Sequence, residues 1–224
     1  MTAVLKPRME ILPPSQQRLW PELRPSAGLG FVLYGGTAIA LRLGHRTSVD
    51  FDFFAAGPLD RNAVYSALPF MAGATVLQDQ PDTLTVLTAS AQGEAVVKVS
   101  FFGGIDFGRV GAPDVTEDDV LQIASLDDLM ATKTKVILQR VEAKDYRDIA
   151  AMLRAGVDLT RGLGSARALY GAVFQPSESL KAMTYFQGGD LATLPEEDKE
   201  TLVDAVSRVR DLPEVAVLSR TLTL

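Results

Sequence analysis

The first half of the chain alternates short apolar runs with glycine- and proline-containing turns, a pattern typical of short buried strands. Strands are predicted at residues 31–34, 49–54, 74–77, 84–88, 95–102 and 120–124. The turn-like segment Ser90–Glu94 separates two of these runs and predicts a hairpin. A short helix is predicted over 37–43, because apolar residues there are followed by Gly44, a helix-ending residue.

The second half of the chain changes to helical periodicity. Helices are predicted at residues 126–141, 143–154, 164–173, 177–186 and 196–210. Ser125 predicts the N-cap of the first of these helices. Strands first and helices later predict an α+β fold. We expect a proline-containing arm over 1–28, an α/β core over 29–124 and a helical region over 125–224.

Composition narrows the range of functions. The chain has 224 residues, 47% hydrophobic, which is ample for a core. A net charge of −6 argues against a broad surface that coats nucleic acid. Without cysteine and with a single histidine, a zinc site is not expected. No signal peptide or membrane span is visible, so a cytoplasmic protein is the default expectation.

Two aspartates stand two residues apart in the run Val49–Phe54. Side chains at this spacing on a strand point to the same face. Asp50 and Asp52 therefore share one face, whereas Val49, Phe51 and Phe53 share the other and can face a core. Neighbouring carboxylates repel each other unless a cation or hydrogen-bond donors are present, and Mg²⁺ suits such a pair. A strand with one solvated face would show the same pattern.

Gly35 and Gly36 lie between a predicted strand and a predicted helix. Glycines there allow backbone N–H groups to approach an anion, and Thr37 adds a hydroxyl at the helix N-terminus. This turn predicts a phosphate-binding site, although an ordinary tight turn fits as well. In the following loop, Arg46 could meet a phosphate or form a surface ion pair, and Ser48 would lie at the rim of the site.

Lys133 interrupts the apolar stripe of the first predicted helix. A helical wheel places it among Leu126, Leu129, Met130, Val136 and Ile137. An unpaired ammonium is costly to bury. Lys133 therefore either extends its ammonium to the edge of the apolar stripe, where it meets water, or reaches a buried anion. On the next helix Asp145 lies within the apolar stripe and Asp148 lies at its margin. Asp145 is therefore the expected partner of Lys133, either in a structural ion pair or around a substrate.

These features together resemble the AbiEii/MenT family of nucleotidyltransferase-like proteins, which includes toxins of bacterial toxin–antitoxin systems. The resemblance covers residues 30–155 and is carried by GGTAIAL, HRTSVDFDFF, ATKTKVILQR and AKDYRDI. It implies a DNA polymerase β-like nucleotidyltransferase fold, with a mixed sheet and flanking helices. It also implies Mg²⁺-dependent transfer from a nucleoside triphosphate (NTP) to a hydroxyl of an RNA 3′ end such as that of tRNA, of a protein or of a small molecule. A cognate antitoxin is a further implied partner.

The resemblance also assigns roles to residues. Gly35 and Gly36 would hold phosphate, Asp50 and Asp52 would bind metal, and Lys133 would match the helical lysine. The family also has an acidic residue further along the chain than this lysine. It would be Asp145 or Asp148 here, and the helical wheel favours Asp145.

One expected feature of polymerase β-like enzymes is missing from the sequence. A third carboxylate is expected on a neighbouring strand, but the residues that face with Ser100 are Lys98, Val96 and Glu94. Only Glu94 is acidic, and it lies near the start of the strand. The chain is therefore either a nucleotidyltransferase or a catalytically degenerate nucleotide-binding or protein-interaction module on the same fold. A third alternative is that its inward polar groups are purely structural.

Overall fold

The computed structural model describes residues 4–89 and 95–224. Its strands are β1 Val4–Leu5, β2 Val32–Tyr34, β3 Asp50–Phe54, β4 Thr75–Gln80, β5 Thr83–Leu87, β6 Lys98–Phe102, β7 Asp114–Thr116 and β8 Gln122–Ile123. Its α-helices are α1 Pro14–Leu19, α2 Pro25–Gly28, α3 Gly35–Leu43, α4 Arg61–Ala67, α5 Leu126–Val136, α6 Ala143–Arg154, α7 Leu159–Tyr170, α8 Pro176–Thr184 and α9 Glu196–Arg208. All six strands predicted from the sequence are present, some of them shorter, and the α+β class is confirmed.

The strands form one mixed sheet in the order β1-β7-β8-β2-β3-β6-β5-β4. Strand β3 lies near its centre, antiparallel to β2 and parallel to β6. Strands β5 and β6 pair antiparallel, as the predicted hairpin requires, while its connecting segment 90–94 and Glu94 lie outside the described residues. The two-residue strand β1 pairs with β7, and the sequence predicted neither strand.

Strand register gives the centre of the sheet one fully apolar face. Its buried side chains are Leu33, Phe51, Phe53, Leu84, Val86, Val99 and Phe101. The Phe53 and Phe101 rings stack with their centroids 5.4 Å apart. Asp50 and Asp52 lie on the opposite face. Val49 was expected on the apolar face, and this was wrong: it precedes β3 and its side chain is 59% exposed.

Two helix boundaries differ from the prediction by more than the others. Helix α5 ends at Val136 rather than 141, and a turn follows in which Gln139 N–H donates to the Val136 carbonyl. Helix α7 begins at Leu159 rather than 164, after Asp158 caps the Thr160 N–H. A Cβ on Gly162, within the added first turn, would lie 2.3 Å from Met130 Cγ, so this glycine permits close helix packing.

The chain forms two compact units. Within the described residues, the sheet unit holds the chain up to Gly108, Ala112–Ala124 and Ser219–Leu224, and it contains all eight strands. The helical unit holds Arg109–Gly111 and Ser125–Leu218, with helices α5 to α9. No helix of residues 4–89 and 95–224 is long and apolar enough to cross a membrane.

Candidate functional site

Strand β3 presents the two predicted metal ligands at the centre of the sheet unit. Asp50 and Asp52 are partly buried, and the alternation along the strand gives them the same face, as the sequence indicated. The Asp50 side chain is 30% exposed, and its Oδ2 lies 3.0 Å from the Lys98 ammonium on β6. Lys98 is 40% exposed. The pair is therefore reachable from solvent, and Lys98 is a cationic neighbour of Asp50.

Gly35 lies directly against Asp52. Its φ of +73° is in the left-handed region that glycine tolerates best. A Cβ at this position would stand only 2.6 Å from Asp52 Oδ2. The missing side chain therefore allows this carboxylate oxygen to pack against the Gly35 backbone, at the N-terminus of the nine-residue helix α3.

The hydroxyl of Thr37 fastens helix α3 to strand β3. Thr37 is 2% exposed, donates a hydrogen bond to the main-chain carbonyl of Asp50 and lies 2.7 Å from the Ser48 hydroxyl. Ser48 is buried as well. Arg46, in the same loop, donates from Nη1 to the Thr47 carbonyl at 3.1 Å. These contacts hold the carboxylate-bearing strand and the glycine turn together.

The neighbouring strand β6 places Lys98 opposite Asp50 and Ser100 opposite Asp52. Ser100 is buried, and its hydroxyl accepts a 3.3 Å hydrogen bond from Thr85. Among residues 4–89 and 95–224, no group of three or more His, Asp, Glu or Cys side chains is arranged to hold a metal ion.

The helical unit contains a buried ion cluster. Lys133 Nζ on α5 lies 2.6 Å from Asp145 Oδ1 and 2.7 Å from Asp148 Oδ2, both on α6. The side chains are 5% exposed for Lys133 and 0% for each aspartate. The expected Lys133–Asp145 pair is confirmed, and Asp148 is a second, equally buried partner rather than a marginal residue.

Arg140 completes this cluster from the turn after α5. Its Nε lies 2.8 Å from Asp145 Oδ2 and its Nη2 lies 3.1 Å from Asp145 Oδ1. Burial alone would raise the pKa of Asp145, but the Arg140 hydrogen bonds and the Lys133 charge outweigh it and lower that pKa. Asp145 is thus held ionised. Arg140 was missed from the sequence because it follows the last turn of α5, where a helical wheel no longer applies.

The predicted site residues therefore form two groups. The sheet unit brings together Asp50, Asp52 and the glycine turn, with the Thr37 and Ser48 hydroxyls packed beside them. The helical unit brings together Lys133 and Asp145, with Asp148 and Arg140 added by the structure.

The fold is that of a nucleotidyltransferase. The crystal structure of an H. pylori protein, described as a candidate nucleotidyltransferase, matches with a TM-score of 0.51 and covers 85% of this chain and 91% of that one. At 17% sequence identity, this similarity concerns the fold. It agrees with the mixed sheet and flanking helices expected from the sequence.

The family follows from the sequence match. Residues 19–215 match the family described as nucleotidyl transferase AbiEii toxin of a type IV toxin–antitoxin system, and the chain belongs to this family. The uncharacterized protein aq_aa25 of Aquifex aeolicus (strain VF5) is 32% identical over 126 residues. That alignment spans 55% of this chain and 58% of the relative.

Proposed function

We propose that the chain is a Mg²⁺-dependent nucleotidyltransferase that moves a nucleotidyl group from an NTP to a hydroxyl acceptor. The observation that carries this proposal is the Asp50–Asp52 pair on one face of a central strand, with the Asp52 carboxylate packed against Gly35 at the start of α3. Family membership supports the reaction class.

The residues present fit a magnesium ion. Mg²⁺ prefers oxygen ligands and usually takes one or two carboxylates together with water and substrate phosphates. Asp50 and Asp52 supply partly exposed carboxylates on the same face of β3. When bound there, Mg²⁺ would neutralise negative charge on the triphosphate during transfer.

The glycine turn would hold the phosphates. Backbone N–H groups at the start of α3 carry partial positive charge, and Gly35 and Gly36 allow an anion to approach them. Thr37 and Ser48 would support this turn from beneath, because their hydroxyls lie near the Asp50 carbonyl and near each other. Arg46 would meet the outer phosphates from the adjoining loop.

Lys133 would donate hydrogen bonds to the phosphate oxygens on which charge accumulates. Asp145 and Asp148 would orient its ammonium, since both carboxylates contact it. In the transfer, the acceptor oxygen bonds to the α-phosphorus, the bond to pyrophosphate breaks and the hydroxyl proton passes to water.

The acceptor is proposed by chemical class only. An RNA 3′ end such as that of tRNA, a protein hydroxyl or a small molecule would each supply the attacking oxygen. As a member of a toxin family, the chain would act in the cytoplasm and be counteracted by a cognate antitoxin.

Labelled-NTP transfer into tRNA or cell lysate tests this proposal. We expect Asp50→Asn and Asp52→Asn each to lose about 10³-fold in transfer rate, because the charge that holds the ion is lost without a change of shape. Asp204→Asn is the matched control, since Asp204 is an exposed helical carboxylate paired only with Arg208. Equal transfer by the wild type and both site variants would refute the assignment.

A nucleotide-binding module without transfer activity is the second candidate. It is favoured by the neutral Ser100 opposite Asp52 and by Lys98 opposite Asp50, where an acid would be expected. Calorimetric titration with ATP, CTP, GTP and UTP, with and without Mg²⁺, separates it from the enzyme. Binding that depends on Mg²⁺ and on Asp52, without transfer to any acceptor, would favour this module.

A further inference from the structure

Aromatic side chains share the face of the sheet that carries the aspartate pair. The register of β2, β3 and β6 puts Tyr34 opposite Asp52 and Phe102 opposite Phe54. Phe54 follows Asp52 by two residues on β3, so the two side chains point to the same face and their Cα atoms lie about 7 Å apart. Together with Phe107 from the loop after β6, these three rings form what we call the aromatic cluster.

The rings of the aromatic cluster contact one another. The Phe54 ring stacks on Tyr34, with centroids 4.8 Å apart and an interplanar angle of 10°. Phe102 meets Phe54 edge-on at 5.2 Å. Phe107 meets Tyr34 and Phe54 edge-on at 6.4 and 6.5 Å. These are favourable geometries for aromatic pairs, so the rings hold each other in place before any ligand binds.

The aromatic cluster is less buried than the phenylalanines on the opposite face of the sheet. Phe51, Phe53 and Phe101 are 0% exposed and belong to the core. In the aromatic cluster, Tyr34 is 1% exposed, but the three phenylalanines are only half-buried. Part of their apolar surface therefore remains accessible on the face that carries the proposed metal ligands.

We infer that the aromatic cluster binds a nucleobase by stacking. The inference rests on the proposed function and adds the part of the substrate that the aspartates do not recognise. A base is planar and uncharged, and bases of single strands stack on aromatic side chains whatever their sequence. In an NTP only the ribose separates the base from the α-phosphate, which suits the single step along β3 from Asp52 to Phe54. The terminal base of an RNA acceptor offers the same chemistry.

Calorimetric titration with three probes tests the inference without a need for activity. The probes are a non-hydrolysable ATP analogue with Mg²⁺, inorganic tripolyphosphate with Mg²⁺, and a short single-stranded oligoribonucleotide. The variants are Phe54→Leu and Phe107→Leu, which keep an apolar side chain but remove the ring. Phe186→Leu is the matched control, because Phe186 is also half-buried and meets a tyrosine edge-on, but it belongs to the helical unit.

We expect both cluster variants to bind the ATP analogue about tenfold more weakly and tripolyphosphate as tightly as the wild type does, since only the analogue carries a base. A loss for the analogue assigns the aromatic cluster to the base of the NTP, and a loss for the oligoribonucleotide alone assigns it to the acceptor. Unchanged binding of both base-containing probes, or an equal loss for tripolyphosphate, would overturn the inference.

Mn²⁺ binding to the same variants, measured by electron paramagnetic resonance, separates this inference from the proposed function. Mn²⁺ replaces Mg²⁺ as the probe ion, and we expect both cluster variants to bind it as tightly as the wild type does. A wild type that binds no Mn²⁺ would overturn the proposed metal-dependent reaction, whereas the calorimetric result still decides on stacking. A wild type that binds none of the three probes would overturn both. Far-ultraviolet circular dichroism checks that each variant is folded.

Discussion

The two groups of charged residues differ in their access to solvent. In the sheet unit, the Asp50 and Lys98 side chains are 30% and 40% exposed. In the helical unit, Lys133 is 5% exposed, and Asp145 and Asp148 are fully buried. Both groups pair aspartate with lysine at about hydrogen-bond distance. Only in the sheet unit is the aspartate exposed enough to replace its lysine contact by an ion from solvent.

This difference separates a binding role from an orienting role. A partly exposed carboxylate can replace a lysine contact by a metal ion at small cost, because surface ion pairs contribute little to stability. A buried ion pair cannot lose one partner without leaving an uncompensated charge in the interior. We therefore expect the sheet-unit aspartates to bind and release ligands, and the helical-unit cluster to keep a fixed geometry.

The largest expected effect on stability is that of Lys133→Met. It leaves Asp145 and Asp148 buried without their shared cation, which we expect to destabilise the fold by about 3–5 kcal/mol. Urea denaturation measures the change in the free energy of unfolding. Lys135→Met is the control on the same helix, because the Lys135 ammonium donates to the Val173 carbonyl and lies over the Tyr170 ring, in a partly exposed setting. Equal stability of the two variants would contradict the difference between the groups.

A smaller effect is expected for Gly35→Ala. The variant places a side chain at a φ of +73° and 2.6 Å from Asp52 Oδ2, which we expect to cost about 1–2 kcal/mol of stability. Gly44→Ala is the matched control, since its φ is +69° but its nearest neighbour, Arg8 Cγ, is 3.6 Å away. Only Gly35→Ala should also weaken Mn²⁺ binding. Equal Mn²⁺ affinity in the two variants would show that the close contact between Gly35 and the Asp52 carboxylate does not matter for ion binding.

The smallest expected effect is a pH shift in Arg140→Gln. Because the pKa of Asp145 is lowered in the folded chain, its ionised form stabilises the fold above the unfolded pKa of about 4. That stability is lost as the pH falls through the folded pKa. Removing Arg140 raises the pKa of Asp145 in the folded chain. Acid unfolding should therefore begin at a higher pH than in the wild type. Arg161→Gln removes a partner of the more exposed Asp127. This control should leave the pH at which acid unfolding begins nearly unchanged.

Strong periodic patterns were sufficient to predict the central features of both units. The alternation in Val49–Phe54 predicted that Asp50 and Asp52 share a face, and the helical spacing predicted that Lys133 meets Asp145. Both inferences depend only on local geometry. Each residue's orientation follows from its own strand or helix, so no tertiary contact had to be known.

Features that depend on contacts between distant segments could not be predicted in this way. Strand β1 has two residues and exists through its pairing with β7, so it shows no periodicity of its own. The contact between Lys98 and Asp50 depends on which residues of β3 and β6 are opposite, and the sequence does not give that register. Asp148 was placed at the margin of α6 because a helical wheel ignores the packing of neighbouring helices.

A double-mutant cycle on transfer of labelled NTP tests the central claim most directly, namely that Asp50 and Asp52 act together on one substrate. Asp52→Asn is combined with Asp50→Asn, and each change removes a charge without a change of shape. We expect about 10³-fold loss for each variant and about 10³-fold for both together, because residues that act as a unit are not additive. Losses that multiply, or full transfer by either folded variant, would contradict the account.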